Sequence, residues 1–153
     1  MVIDMHVHPL LYRSIFDERE FSYWEQEFGM GHMGPMDYDE ILAEMDVGKI
    51  DISCLLPIDL YSTSSGTIAS NKQVASIVAD EPLRFIWFAS VDPHDPKALE
   101  KLEDAFEEGA KGLSLHPGKQ GFLPDEPCVE PLYKICEQYA HYEIGRASCR
   151  ERV

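Results

Sequence analysis

Hydrophobic and polar positions along this chain follow two alternating rhythms, a short β-type run and then a longer helical one. Val2–Val7 is a brief β-rich run. Pro9–Met36 follows as a long segment whose middle, Phe16–Phe28, suits a helix, and the GMGHMGPM stretch (Gly29–Met36) has no core periodicity and reads as a mobile loop. Asp37–Val47 sets Ile41, Leu42 and Met45 on one helical face, with Gly48 as the stop signal. Asp51–Pro57 is the second strand, and Asn71–Ala79 carries Val74, Ile77 and Val78 at helical spacing. Arg84–Val91 (RFIWFASV) is apolar almost throughout, as suits a parallel strand covered on both faces, and its Trp87 belongs to the core. Asp95–Glu108 is an amphipathic helix, Gly112–His116 a fourth strand and Cys128–Tyr139 a fourth helix. Apart from this rhythm there is no internal repeat, and the short YSTSSGT turn is the single low-complexity stretch.

Four strands, each followed by a helix, predict a parallel sheet with right-handed crossovers. An open doubly wound sheet and part of a (β/α)8 barrel both fit. No Gly-rich phosphate loop follows the first strand, which weakens the dinucleotide-binding version. Polar residues stand at the strand ends instead: His6 and His8, then Asp59, Asp92 and His116. Chemistry at the C-terminal ends of successive strands is how a barrel builds its site, so the barrel is preferred.

Composition narrows the partners. A formal charge of −15 argues against a nucleic-acid surface, which needs clustered Lys and Arg. No apolar run approaches the ~20 residues that span a bilayer, and no signal peptide precedes the first strand. Cys54, Cys128, Cys136 and Cys149 form no C-x-x-C pair and read as reduced thiols, so a cytoplasmic location is the expectation. A small-molecule substrate is expected, with neither nucleic acid nor membrane as partner, and homo-oligomerisation is left open.

The sharpest constellation is DMHVH, Asp4–His8. Strict alternation points Asp4, His6 and His8 one way and Met5 and Val7 the other. Two imidazoles two residues apart on a rigid strand can chelate a divalent ion, with a nearby carboxylate orienting a ring or helping to hold the ion. A surface H-x-H or a merely hydrogen-bonded pair is the plain alternative.

VIDMHVHP resembles the first strand of the amidohydrolase superfamily, metal-dependent (β/α)8 hydrolases whose first strand carries H-x-H ligands. The MD-x-G-x-I-D junction (Met45–Asp51), RFIWFASVDP (Arg84–Pro93), GAKGLSLHPGKQGF (Gly109–Phe122) and PDEPCVEPLYKICEQY are similar to its amidohydrolase-related branch, which includes decarboxylases of the aminocarboxymuconate-semialdehyde type. The resemblance implies that His6 and His8 are metal ligands and that His116 touches substrate or supports the ligands, with Asp4 as the nearby carboxylate in a substrate or supporting role. A structural histidine before Pro117 is the alternative for His116. Superfamily members with two metals bridge them through a carbamylated Lys, and Ser114 stands where relatives often have Lys, so one divalent ion is implied, zinc first and manganese second. His32 and His94 lie in loops as weaker candidates for substrate contact. Further ligating His residues after the fifth and sixth strands and an Asp after the eighth are expected of the family, and no catalytic residue is assigned within this chain.

The ending IGRASCRERV interrupts what looks like the approach to a fifth strand. It reads as the translation of a short-read sequencing adaptor rather than a natural basic tail. The expected organisation is therefore residues 1–143 as the N-terminal half of an amidohydrolase-related TIM barrel, its first four β/α units, with 144–153 an adaptor-derived artefact. The expected function is a metal-dependent hydrolase in which metal-activated water attacks a small carbonyl-containing substrate, active only as the full-length parent. A non-oxidative decarboxylase on the same scaffold is the runner-up. Metal-dependent phosphoesterases with H-x-H fit less well, and an inactive truncated fragment is the non-enzyme alternative.

Overall fold

The computed structural model describes residues 1–29, 33–63 and 67–139. His32, the centre of the YSTSSGT turn, Cys149, the approach to a fifth strand and the tail 144–153 lie outside the described residues.

The elements run β1 (Ile3–Val7), a 3-10 turn (Arg13–Ile15), α1 (Glu18–Phe28), α2 (Tyr38–Val47), β2 (Ile52–Leu55), α3 (Asn71–Asp80), β3 (Phe85–Trp87), α4 (Ala98–Glu107), the short α5 (Pro117–Gln120) and α6 (Glu130–Gln138). Their ends are chemically marked. Asp17 accepts hydrogen bonds from the amides of Arg19 and Glu20 to start α1, which stops at Gly29 with φ +68°. Ser70 and Gln73 form a reciprocal capping box at the start of α3. Gly48 caps α2 in an ordinary right-handed conformation, and it is Lys49 that takes the positive φ.

The sheet is parallel in the order β1-β2-β3, each strand paired with its sequence neighbour. The predicted fourth strand, Gly112–His116, is reduced to one parallel bridge, Ala89 to Leu113. Three hydrogen bonds still hold it there: Lys111 N to Trp87 O, Ala89 N to Gly112 O and Ser114 N to Ala89 O. A Cβ at Gly112 would stand 2.9 Å from the Phe88 ring, and Pro117 opens α5 at the end of the segment.

One face of the sheet buries Leu55, Phe85, Trp87 and Ala89 against Val74 and Ile77 of α3, Leu102 and Ala105 of α4, and Leu132 and Ile135 of α6. Each fully buried aliphatic side chain there stabilises the fold by roughly 2 kcal/mol. A second cluster, Trp24, Ile58, Leu60 and Ile68 with Leu10, folds α1 over the loop that follows β2. At the other extreme β1 is the sheet edge among the described residues, and Val2, Ile3 and Met5 are exposed there. Among the described residues no helix is long and apolar enough to cross a membrane.

Candidate metal centre

His6 lies one residue before the end of β1 and His8 just beyond it, beside the end of β2. The two rings stand nearly perpendicular, at 89°, with Nε2 atoms 3.1 Å apart. On the other side of its ring, His8 donates from Nδ1 to the Leu56 carbonyl over 2.8 Å. A carbonyl only accepts, so this bond fixes the tautomer: in the neutral ring Nε2 carries the lone pair, and His6 donates to it from its own Nε2–H. Burial first, and then the nearby charges of His6 and His116, lower the His8 pKa to about 4 against the opposing Leu56 bond, so the ring is neutral near pH 7.

This donor set fits a divalent cation. With metal–nitrogen distances of 2.0–2.1 Å, the observed Nε2 separation corresponds to an angle of about 95–100° at the ion, within range of tetrahedral or octahedral coordination. The Leu56 carbonyl is the backing acceptor that ligating histidines usually have. Among the described residues no group of three or more His, Cys, Asp or Glu side chains gathers to complete the set.

Between Asp4 and the pair the strand register is interrupted. The β1–β2 register runs Ile3–Ile52 and Asp4–Ser53, then slips so that Val7 faces Leu55. Three β1 residues span two on β2, a bulge that breaks the alternation assumed from sequence. Asp4 lines a cavity of about 300 Å³ beside α2 together with Ser53, Met45, Ile41 and His8. Its carboxylate accepts the His6 amide at 3.0 Å, so it contacts the pair through backbone.

His116 stands at the end of the fourth segment, half-buried. Burial, then the charges of Lys119 and His6, lower its pKa. Its Nδ1 is a buried atom with no hydrogen-bond partner among the described residues. The strand-end carboxylates are otherwise engaged. Asp59 pairs with Lys101 at 2.9 Å, and Asp92 accepts from the Ser62 amide and hydroxyl and from the His94 amide. His94 is exposed beside it. Sequence reasoning missed Gln120, 1 % exposed at the end of α5, because a single glutamine carries no spacing signal.

The protein-family model for Amidohydrolase matches residues 3–140. The chain belongs to the amidohydrolase family. Solved structures share the fold. An uncharacterised TIM-barrel protein from Bordetella bronchiseptica matches at 19% identity and TM-score 0.68, over 90% of this chain and 52% of its own. The 5-carboxyvanillate decarboxylase of Sphingomonas paucimobilis matches at 19% and 0.63, over 92% and 50%. A 5-carboxyvanillate decarboxylase from Novosphingobium aromaticivorans, solved with manganese, matches at 20% and 0.64, over 92% and 49%. No curated protein matches. The chain spans about half the length of these structures, and its fold is the N-terminal half of an amidohydrolase (β/α)8 barrel.

Proposed function

We propose that this half-barrel supplies the first two ligands, His6 and His8, of a single divalent metal site in a hydrolase acting on a small carbonyl-containing compound. The observation that carries the reading is the Nε2 pair, 3.1 Å apart, with the His8 tautomer set by Leu56. Zinc comes first as the ion and manganese second, the latter because one structural neighbour was solved with it. When bound, the ion supplies Lewis-acid polarisation of a substrate oxygen and acidification of water. The chain's own residues do the rest of the work at this end. Leu56 would keep the His8 Nε2 lone pair available to an ion, the Asp4 carboxylate accepts the His6 amide, and the His116 ring would serve a substrate oxygen or amide. Catalytic sites normally provide three protein ligands, so the remaining ones come from the second half of the barrel.

Decarboxylation is the second reading. It is favoured by the neighbours, which include 5-carboxyvanillate and 2,6-dihydroxybenzoate decarboxylases.

Equilibrium dialysis of the 153-residue chain against zinc tests the site. We expect weak uptake of at most one equivalent per chain, abolished in a His6→Ala, His8→Ala variant; uptake that survives the double substitution rules the site out. The whole enzyme, read from genomic DNA beyond residue 143, then separates the reactions by water consumption against release of carbon dioxide.

A further inference from the structure

At the mouth the strands run out of backbone pairing. The β2–β3 ladder stops at Leu55–Trp87, and the bonds to the fourth segment stop at Ala89–Ser114. Beyond those points side chains hold the chain ends in register, and one buried side chain bonds to all three of them. The Gln120 Oε1 accepts the His116 amide at 2.7 Å, while its Nε2 donates to the Asp59 carbonyl at 2.8 Å and to the Val91 carbonyl at 3.0 Å. Both amide hydrogens and the oxygen are therefore used, one on each of three successive strand ends.

No other residue type replaces this set. Asn is one methylene short, Leu or Met leaves three polar groups without their partner, and ionised Glu turns a negative charge toward two carbonyls. The tie ends on His116, whose ring is close enough to His6 and His8 for their charges to bear on one another and whose Nδ1 has no partner among the described residues. We infer that Gln120 is a positioning residue, setting where the His116 ring stands relative to the His6–His8 pair. This rests on reading the mouth as the functional site, but not on metal occupancy.

The test uses the 153-residue chain without metal. Carbethoxylation by diethyl pyrocarbonate is followed by peptide mass spectrometry at His116, with half-buried His8 and exposed His94 as internal references. Gln120→Met is expected to raise the His116 rate about tenfold, the scale of one lost buried hydrogen bond, with His8 and His94 unchanged. Gln120→Glu, assayed at mildly acidic pH where burial keeps the carboxyl protonated, retains the acceptor for the His116 amide and is expected to return the rate toward wild type. An unchanged His116 rate in Gln120→Met overturns the assignment. If His8 accelerates together with His116, the variant is simply unfolding, and Gln120→Asn, which keeps a carboxamide but cannot reach, decides by the same ratio; failure to separate His116 from His8 there also overturns it. Loss of zinc uptake in the dialysis leaves this result standing, so the two ideas fail independently.

Discussion

A single backbone carbonyl, that of Leu56, decides which nitrogen of His8 faces the mouth, and a neutral ring follows from its burial. The same kind of reasoning applies to Cys54, which is fully buried on β2 and whose thiol burial pushes up to about 12. It is therefore expected to resist iodoacetamide at pH 8 in the folded chain while Cys128 and Cys136, both partly exposed, label first; labelling of Cys54 at a comparable rate by peptide mapping would contradict this fold. At this scale the closeness of His6 and His8 was legible from their two-residue spacing, which does not by itself separate chelation from a hydrogen-bonded pair. The place of Asp4 was not, since counting by twos assumes an unbroken strand and the bulge depends on how β1 meets β2, forty-odd residues away.

Elements are held at their ends by side chains that can be removed singly. Ser70→Ala deletes half of the α3 capping box and is expected to cost about 1 kcal/mol in urea unfolding. Lys101 bridges Asp59 at 2.9 Å and Asp95 at 2.6 Å, tying the loop after β2 to the start of α4. Burial alone pushes the Asp95 carboxyl up, yet the Lys101 ammonium and the Lys97 amide bring it below the usual carboxylate range. Lys101→Met removes the partner of this carboxylate, and because the Lys101 side chain is 40% exposed about 1 kcal/mol of destabilisation is expected near neutral pH. A lowered acid stabilises above its ordinary pKa and loses that contribution as pH falls through the lowered value. The gap between wild type and Lys101→Met should therefore close below about pH 4, and a gap that widens in acid would refute it. Strand and helix positions were readable from periodicity because the core lies on one face, as Val74 and Ile77 show. The fourth strand was over-read: LSLH alternates well enough, but the segment makes one bridge, Ala89 to Leu113, before α5 opens at Pro117.

As a whole molecule the chain presents a sheet whose β1 edge is unpaired among the described residues and whose exposed side chains there include Ile3 and Met5. Such an edge recruits other strands. Light scattering should show association that grows with concentration, and Met5→Lys should shift the population toward monomer; a monodisperse wild-type monomer would show that the edge is covered. The barrel class was legible from the β-α rhythm together with polar residues at strand ends. The span of half a barrel was legible only through the resemblance, since no periodicity within four units announces how many more belong to the ring.

Neighbouring strands in space are neighbours in sequence, from β1 to β2 to β3. On a ribosome this means that each unit can dock on its predecessor as soon as it clears the exit tunnel, without waiting for distant partners. The imidazole pair thus acquires its orientation once Leu56 has emerged, before any residue of β3 has followed it out.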